Sequence, residues 1–232
     1  MKHIGLFGGS FDPIHLGHLL AGQAAREELA LDRLFFVPAA QSPFKPEHQC
    51  APAKERLLLL RLALAGLHWC EIDDQEIQRG GISYTIETVR DYARRFPEAQ
   101  LFYLIGADHV TQLPKWREAE ELARLAHFAV IPRPQWGDDA PFSGAAAFDT
   151  EGTSKVPRPP EPPGVAAAGL DALPAQAAPA QFSAPFHGRA LVGYPVGISS
   201  SRIRARIKAG LPIETLVPAA VAEAIRNNRL YL

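Results

Sequence analysis

The stretch from His3 to Leu29 constrains this chain more than any other: an apolar run, His3 to Phe7, meets the glycine pair Gly8-Gly9 and gives way to a helical pattern, Leu19 to Leu29. The alternation then repeats. Leu34 to Val37, Trp69 to Ile72, Leu101 to Ile105 and Phe128 to Ile131 read as strands, with helices expected over Ala53 to Ala65, Ile86 to Arg95 and Glu118 to Ala126. Pro52 precedes the first of these helices, and Thr85 is a candidate cap for the second. Such alternation predicts βαβ units: a doubly wound α/β fold whose mostly parallel sheet carries helices on both faces and takes ligands at the carboxyl ends of its strands.

The alternation stops near Pro134. From there to Phe186 the chain is rich in Ala, Pro and Gly, and Pro157-Arg-Pro-Pro-Glu-Pro-Pro163 excludes a helix interior or a central strand, because proline restricts φ and supplies no N–H. Too few large apolar residues stand there to build a core. Residues from about 135 to 187 therefore read as a flexible insertion, a linker in preference to a lid, within one domain spanning 1–232. Order is expected again from Ala190 to Val192 and in a C-terminal helical segment, with one helix beginning between Gly197 and Ile207 and another over Pro218 to Asn227.

Charge narrows the class of partner. Lys plus Arg (24) nearly balance Asp plus Glu (25), so no global field draws nucleic acid or an acidic membrane, and a small ligand is favoured over a polymer. No apolar run approaches the roughly 20 residues that span a bilayer, since Leu57 to Leu67 is broken by Arg61. Cys50 and Cys70 are too few for a disulfide framework and lack metal spacing. With no signal-peptide pattern at the N-terminus, a cytoplasmic protein is expected. Oligomeric state is left open.

Two segments are suited to anions. Gly8 and Gly9 lack Cβ, so the backbone there is expected to turn tightly and approach a ligand, with the following helix directing unpaired N–H groups and its positive dipole end at it. A nucleoside triphosphate fits this arrangement. His15 and His18, three residues apart, can both donate to phosphate oxygens, and no third ligand is spaced to make them a metal site. At the far end, Ser199, Ser200 or Ser201 can cap a helix to which Arg202, Arg204 and Arg206 add positive charge. The chain has neither GxxxxGK[ST] nor GxGxxG.

Gly8-Gly-Ser-Phe-Asp-Pro-Ile-His15-Leu-Gly-His18 resembles the GGxFxPxHxGH signature of the nucleotidyltransferase superfamily, and Ile198-Ser-Ser-Ser-Arg-Ile-Arg204 resembles its second signature, ISSTxIR. Ser83-Tyr84-Thr85, Gly106-Ala-Asp108 and Leu113-Pro-Lys-Trp116-Arg117 follow the order found in bacterial nicotinate-nucleotide adenylyltransferases. The resemblance covers most of residues 1–133 and 189–232. It implies a Rossmann-like fold and transfer of AMP from ATP to nicotinate mononucleotide, without a covalent enzyme intermediate, giving nicotinate adenine dinucleotide and pyrophosphate in NAD synthesis.

The same resemblance assigns residues. His15, His18 and Arg204 would be catalytic, and Gly8, Gly9, Ser10, Phe11, Gly106, Asp108, Ser199, Ser200 and Ser201 would bind ATP. Lys45, Tyr84, Thr85, Trp116 and Arg117 would hold the acceptor, with backbone N–H groups near Thr85 and Arg117 on its carboxylate and Trp116 stacked on its ring. Mg²⁺ would travel on the ATP phosphates with no protein ligand, Asp12 shaping the turn instead. One loop departs from the family's PPHK or PPHR segment: Ser42-Pro43-Phe44-Lys45 keeps the cation and replaces the histidine. Alternatives are a superfamily enzyme acting on phosphopantetheine or nicotinamide mononucleotide, and a non-catalytic nucleotide sensor.

Overall fold

Alternation along the strands divides the apolar side chains between two faces of one sheet, in a computed structural model that describes residues 1–43, 50–132, 182–194 and 196–232. On β1 (Lys2–Gly9), Ile4 and Leu6 share a buried cluster with Phe35 and Val37 of β2 (Arg33–Pro38), while Phe7 joins Leu34 and Phe36 on the other side. Each such large side chain contributes roughly 1.5–3 kcal/mol by leaving water. The first face is covered by α4 (Thr85–Arg95) through Ile86, Val89 and Tyr92 and by α5 (Ala119–Leu125) through Leu122 and Ala123. The second is covered by α1 (Leu16–Glu28), α2 (Ala53–Leu64), α6 (Ser200–Lys208) and α7 (Ala219–Asn227).

With β3 (Cys70–Ile72), β4 (Ala99–Gly106), β5 (His127–Ile131) and β6 (Gly188–Ala190), the sheet has the order β3-β2-β1-β4-β5-β6, every pair parallel. This is the doubly wound order, reversing at β1 and β4. The crevice lies at their carboxyl ends. Among the described residues no helix is long and apolar enough to cross a membrane.

The expected elements are present with shifted ends. Thr85 is the first residue of α4 and not its cap, a position held by Tyr84, and the Thr85 hydroxyl turns to Tyr103 instead. A short α3 (Gln75–Arg79) and a 3₁₀ segment, Ala107–Lys115, were not expected; the first spans little more than one turn and the second repeats every three residues, so neither shows the 3.6-residue period. Most of the expected insertion lies outside the described residues. Its last part, 182–187, packs: Phe182 and Phe186 meet the Phe128 ring at 6.3 and 5.5 Å, and Phe186 is buried. Composition alone could not separate these two aromatics from the proline-rich run before them.

Candidate active site

The glycine pair is strand, not turn. Both residues lie within β1, pairing in register with Val37 and Pro38, and the chain reverses after them through Ser10, Phe11 at φ 47° and a cis Asp12-Pro13 bond. Close approach is what demands glycine. A Cβ on Gly8 would overlap the hydroxyl of Tyr103, and its Cζ would stand at 3.1 Å. The expected tight turn at Gly8-Gly9 is thus moved two residues on and held by a phenylalanine in the left-handed region, a conformation costly for a bulky residue and retained by burial of Phe11 against Phe7 and Phe36.

The two histidines are brought together at the start of α1. His15 is the N-cap, buried, with its ring stacked on that of His18 at 3.7 Å between centroids. The His15 amide donates to Nδ1 of His18 at 3.3 Å, so the neutral His18 ring carries its proton on Nε2. Gly17 allows this stack, since a Cβ there would meet His15 Nδ1 at 3.0 Å. The expectation of unpaired amides is corrected in part: the amides of Leu16 and His18 donate to the carbonyls of Leu216 and His15.

The far end of the chain closes onto this loop. Ser199 caps α6 by accepting from the Arg202 amide at 3.3 Å, Ser200 Oγ donates to the Pro13 carbonyl at 2.9 Å, and Arg204 Nη1 donates to the Asp12 carbonyl at 2.6 Å. Arg204 also reaches Ser201 Oγ at 3.4 Å and pairs with the Asp12 carboxylate at 3.6 Å. Asp12 is buried and accepts from the Ala51 amide, so its carboxylate braces the loop from within.

The residues expected at the acceptor, Lys45 apart, gather on the neighbouring wall. Tyr84 and Thr85 begin α4, and Trp116 and Arg117 follow the 3₁₀ segment. The Arg117 guanidinium lies over the Tyr84 ring at 4.6 Å and pairs with Glu87 at 3.2 Å. Half-buried Trp116 meets Tyr103 edge-on at 6.3 Å, and Thr85 Oγ1 lies 3.4 Å from the Tyr103 hydroxyl. Tyr103 thus touches Gly8 on one side and the acceptor wall on the other. Its phenol is pushed upward by burial, so it stays a neutral donor. Gly106 ends β4 opposite Ile131, and Asp108 follows it with an exposed carboxylate 3.8 Å from His109. Lys45 lies outside the described residues.

Sequence reasoning missed three side chains. Arg56 is 2% exposed and donates to the carbonyls of Ser10 and Ala39 at 2.8 Å and of Ala51 at 3.1 Å, binding the β1–α1 connection to both ends of the β2–α2 connection. Its signal was available: Arg56, Leu59, Leu60, Ala63 and Leu64 form one buried stripe of α2, and a cation on an apolar stripe needs partners. Tyr103 and buried Glu76 carried no such mark, one in a strand and one in a five-residue helix.

The chain that carries this arrangement is similar to known proteins along nearly its whole length. The cytidylyltransferase-like family model matches residues 6–206. A Gemmatimonas aurantiaca protein named "Probable nicotinate-nucleotide adenylyltransferase" is 38% identical over 98% of this chain and 92% of its own length. A Synechococcus sp. relative of the same name is 36% identical over 100% and 95%. The solved Plasmodium falciparum nicotinic acid mononucleotide adenylyltransferase complexed with NaAD shares the fold, with a TM-score of 0.66 at 15% identity over 100% of this chain and 98% of that one. Identity of this extent over nearly the whole length places the chain in the cytidylyltransferase-like family, among the nicotinate-nucleotide adenylyltransferases.

Proposed function

We propose that this chain transfers AMP from ATP to nicotinate mononucleotide, releasing pyrophosphate and giving nicotinate adenine dinucleotide for NAD synthesis. The observation that carries this reading is the seating of the α6 start on the Ser10–His15 loop, which sets the two stacked histidines and the serine-arginine segment at one crevice. Membership of the family supports the choice of donor and acceptor.

The mechanism follows from that placement. The acceptor phosphate attacks the α-phosphorus of ATP in line and pyrophosphate leaves, so the protein must align two anions and stabilise the charge that develops between them. His18 would donate from Nε2 and His15 would contact the triphosphate beside it, while Ser199 to Ser201 and Arg204 would receive the leaving β,γ-phosphates. Gly8 to Phe11, Gly106 and Asp108 would border the nucleotide. The acceptor ring would lie on Trp116, its carboxylate near the amides of Thr85 and Arg117, and Lys45 would take its phosphate.

Mg²⁺ fits as an ion carried by substrate. The loop carboxylate, Asp12, is committed to Arg204 and the Ala51 amide, and among the described residues no group of three or more His, Cys, Asp or Glu is arranged to hold a metal. When bound, the ion neutralises phosphate charge. We further propose a single domain interrupted by the proline-rich segment, and a cytoplasmic location, in keeping with the free thiols of Cys50 and Cys70.

The test is pyrophosphate release with ATP, Mg²⁺ and a panel of acceptors. Nicotinate mononucleotide is expected to give the highest kcat/KM. A much higher value with nicotinamide mononucleotide or phosphopantetheine would overturn the acceptor, and ATP binding without pyrophosphate release from any acceptor would leave a nucleotide sensor.

A further inference from the structure

Glu76 is 4% exposed, and no ion pair to it exists among the described residues; Arg79, three residues on, turns instead to Glu87 at 3.1 Å. Burying a carboxylate this way is costly unless hydroxyls or amides satisfy it. A hydroxyl does. Thr88, fully buried in α4, donates to Glu76 Oε1, and Ser83 is close enough to act on the same carboxylate electrostatically. Ser83 in turn accepts from the Ala40 amide at 2.9 Å and donates its own amide to the Gln41 carbonyl at 2.9 Å. An isolated bridge between Gln41 and Ile82 continues the contact.

The start of α4 carries residues assigned to the acceptor in the reading above. Ser83 leads into Tyr84 and Thr85 at the start of α4, and Thr88 stands one turn beyond Thr85 on the same side of the helix. Ala40 belongs to the loop after β2, whose Ala39 amide donates to the Gly9 carbonyl at 2.9 Å at the end of the phosphate strand. We infer that Glu76 is a positioning residue for the acceptor, its buried carboxylate holding α4 through Thr88 beside Ser83, whose hydroxyl and amide fasten the loop after β2. Burial raises its affinity for a proton, but either protonation state accepts from the Thr88 hydroxyl. An apolar side chain would fill the space without setting the register between the two loops.

This inference rests on the acceptor reading above. Wild-type turnover of nicotinate mononucleotide is measured first, with KM for each substrate at saturating levels of the other; its absence overturns the acceptor reading and this inference together. Given turnover, Glu76→Ala is expected to raise the acceptor KM by about 10-fold or more while the ATP KM moves less than about 3-fold. Glu76→Gln, which keeps an acceptor for Thr88, is expected to restore most of the loss. Equal changes in both KM values, or an unchanged acceptor KM, would overturn the inference and leave the acceptor reading standing. Should Glu76→Ala fail to fold, Ser83→Ala and Thr88→Val decide: an acceptor KM unmoved in both overturns it.

Discussion

Arg204 donates to the main-chain carbonyl of Asp12 at 2.6 Å across 192 residues of sequence, and the same guanidinium stands 3.6 Å from the Asp12 carboxylate. Nη1 makes both contacts while Nη2 of the same planar fork reaches Ser201 Oγ at 3.4 Å; an ammonium on a flexible stem has no second nitrogen with which to hold the α6 start at the same time. Arg204→Lys is therefore expected to lower kcat/KM for ATP by about 10-fold or more with little change in acceptor KM. Steady-state kinetics beside a thermal melt check this, and a parallel fall for both substrates would count against it.

His18 is expected to act through Nε2, because its Nδ1 accepts from the His15 amide. His18→Ala should reduce kcat by roughly 100-fold if that donor stabilises transition-state charge, with a smaller change in KM. Single-turnover measurement of pyrophosphate release is the readout. A near-normal kcat would remove His18 from the mechanism.

Gly8→Ala places a methyl against the Tyr103 hydroxyl. Overpacking of this kind costs about 1–3 kcal/mol. Tyr103→Phe removes the clashing oxygen and leaves Cζ at 3.1 Å, so the double variant is expected to recover part of the lost stability in a denaturant double-mutant cycle. Additive losses would mean that the two residues do not meet as described.

Trp116 lies edge-on to Tyr103 at 6.3 Å and to Phe128 at 6.5 Å and is only half-buried. Trp116→Ala is expected to raise the acceptor KM by about 10-fold, a loss of the order of one aromatic stack, and to leave the ATP KM nearly unchanged. Initial-rate measurements with each substrate varied would show it.

Asp73 provides the pH dependence of stability. Burial alone would raise its pKa, but hydrogen bonds from Tyr92 at 2.6 Å, Arg95 at 2.7 Å and the Gln75 amide at 3.1 Å outweigh it and hold the carboxyl below its ordinary 3.8. A depressed folded-state pKa contributes stability that is full above the unfolded value and is lost as pH falls through the folded one. Asp73→Asn is expected to cost about 2 kcal/mol at neutral pH, roughly 4–8 °C in Tm for a chain of this size. That gap from wild type should narrow as pH falls below 3.8 and through the depressed folded value, as followed by melts from pH 7 to pH 2.5.

Local patterns made much of this molecule legible. The five expected strands and the helices over Leu19 to Leu29, Ala53 to Ala65 and Ile86 to Arg95 recur with ends moved by a few residues, because period-two and period-3.6 burial act over a single element. The signature from Gly8 to His18 was readable for the same reason. Its internal reasons were not: Gly8 was taken as a turn glycine, although the partner that requires it, Tyr103, is 95 residues away. Phe182 and Phe186 were hidden by the composition of their neighbours.

The sequence by itself determined a parallel α/β domain with two anion-directed segments, one at each end of the chain, since strand period, glycine, proline and helix caps are decided by neighbours a few positions apart. Only the tertiary structure decided that Ser200 and Arg204 close on Pro13 and Asp12, that Arg56 gathers the carbonyls of Ser10, Ala39 and Ala51, and that buried Glu76 accepts from Thr88. Those contacts arise where the sheet reverses at β1 and β4, and side chains brought together there carry no shared period along the chain.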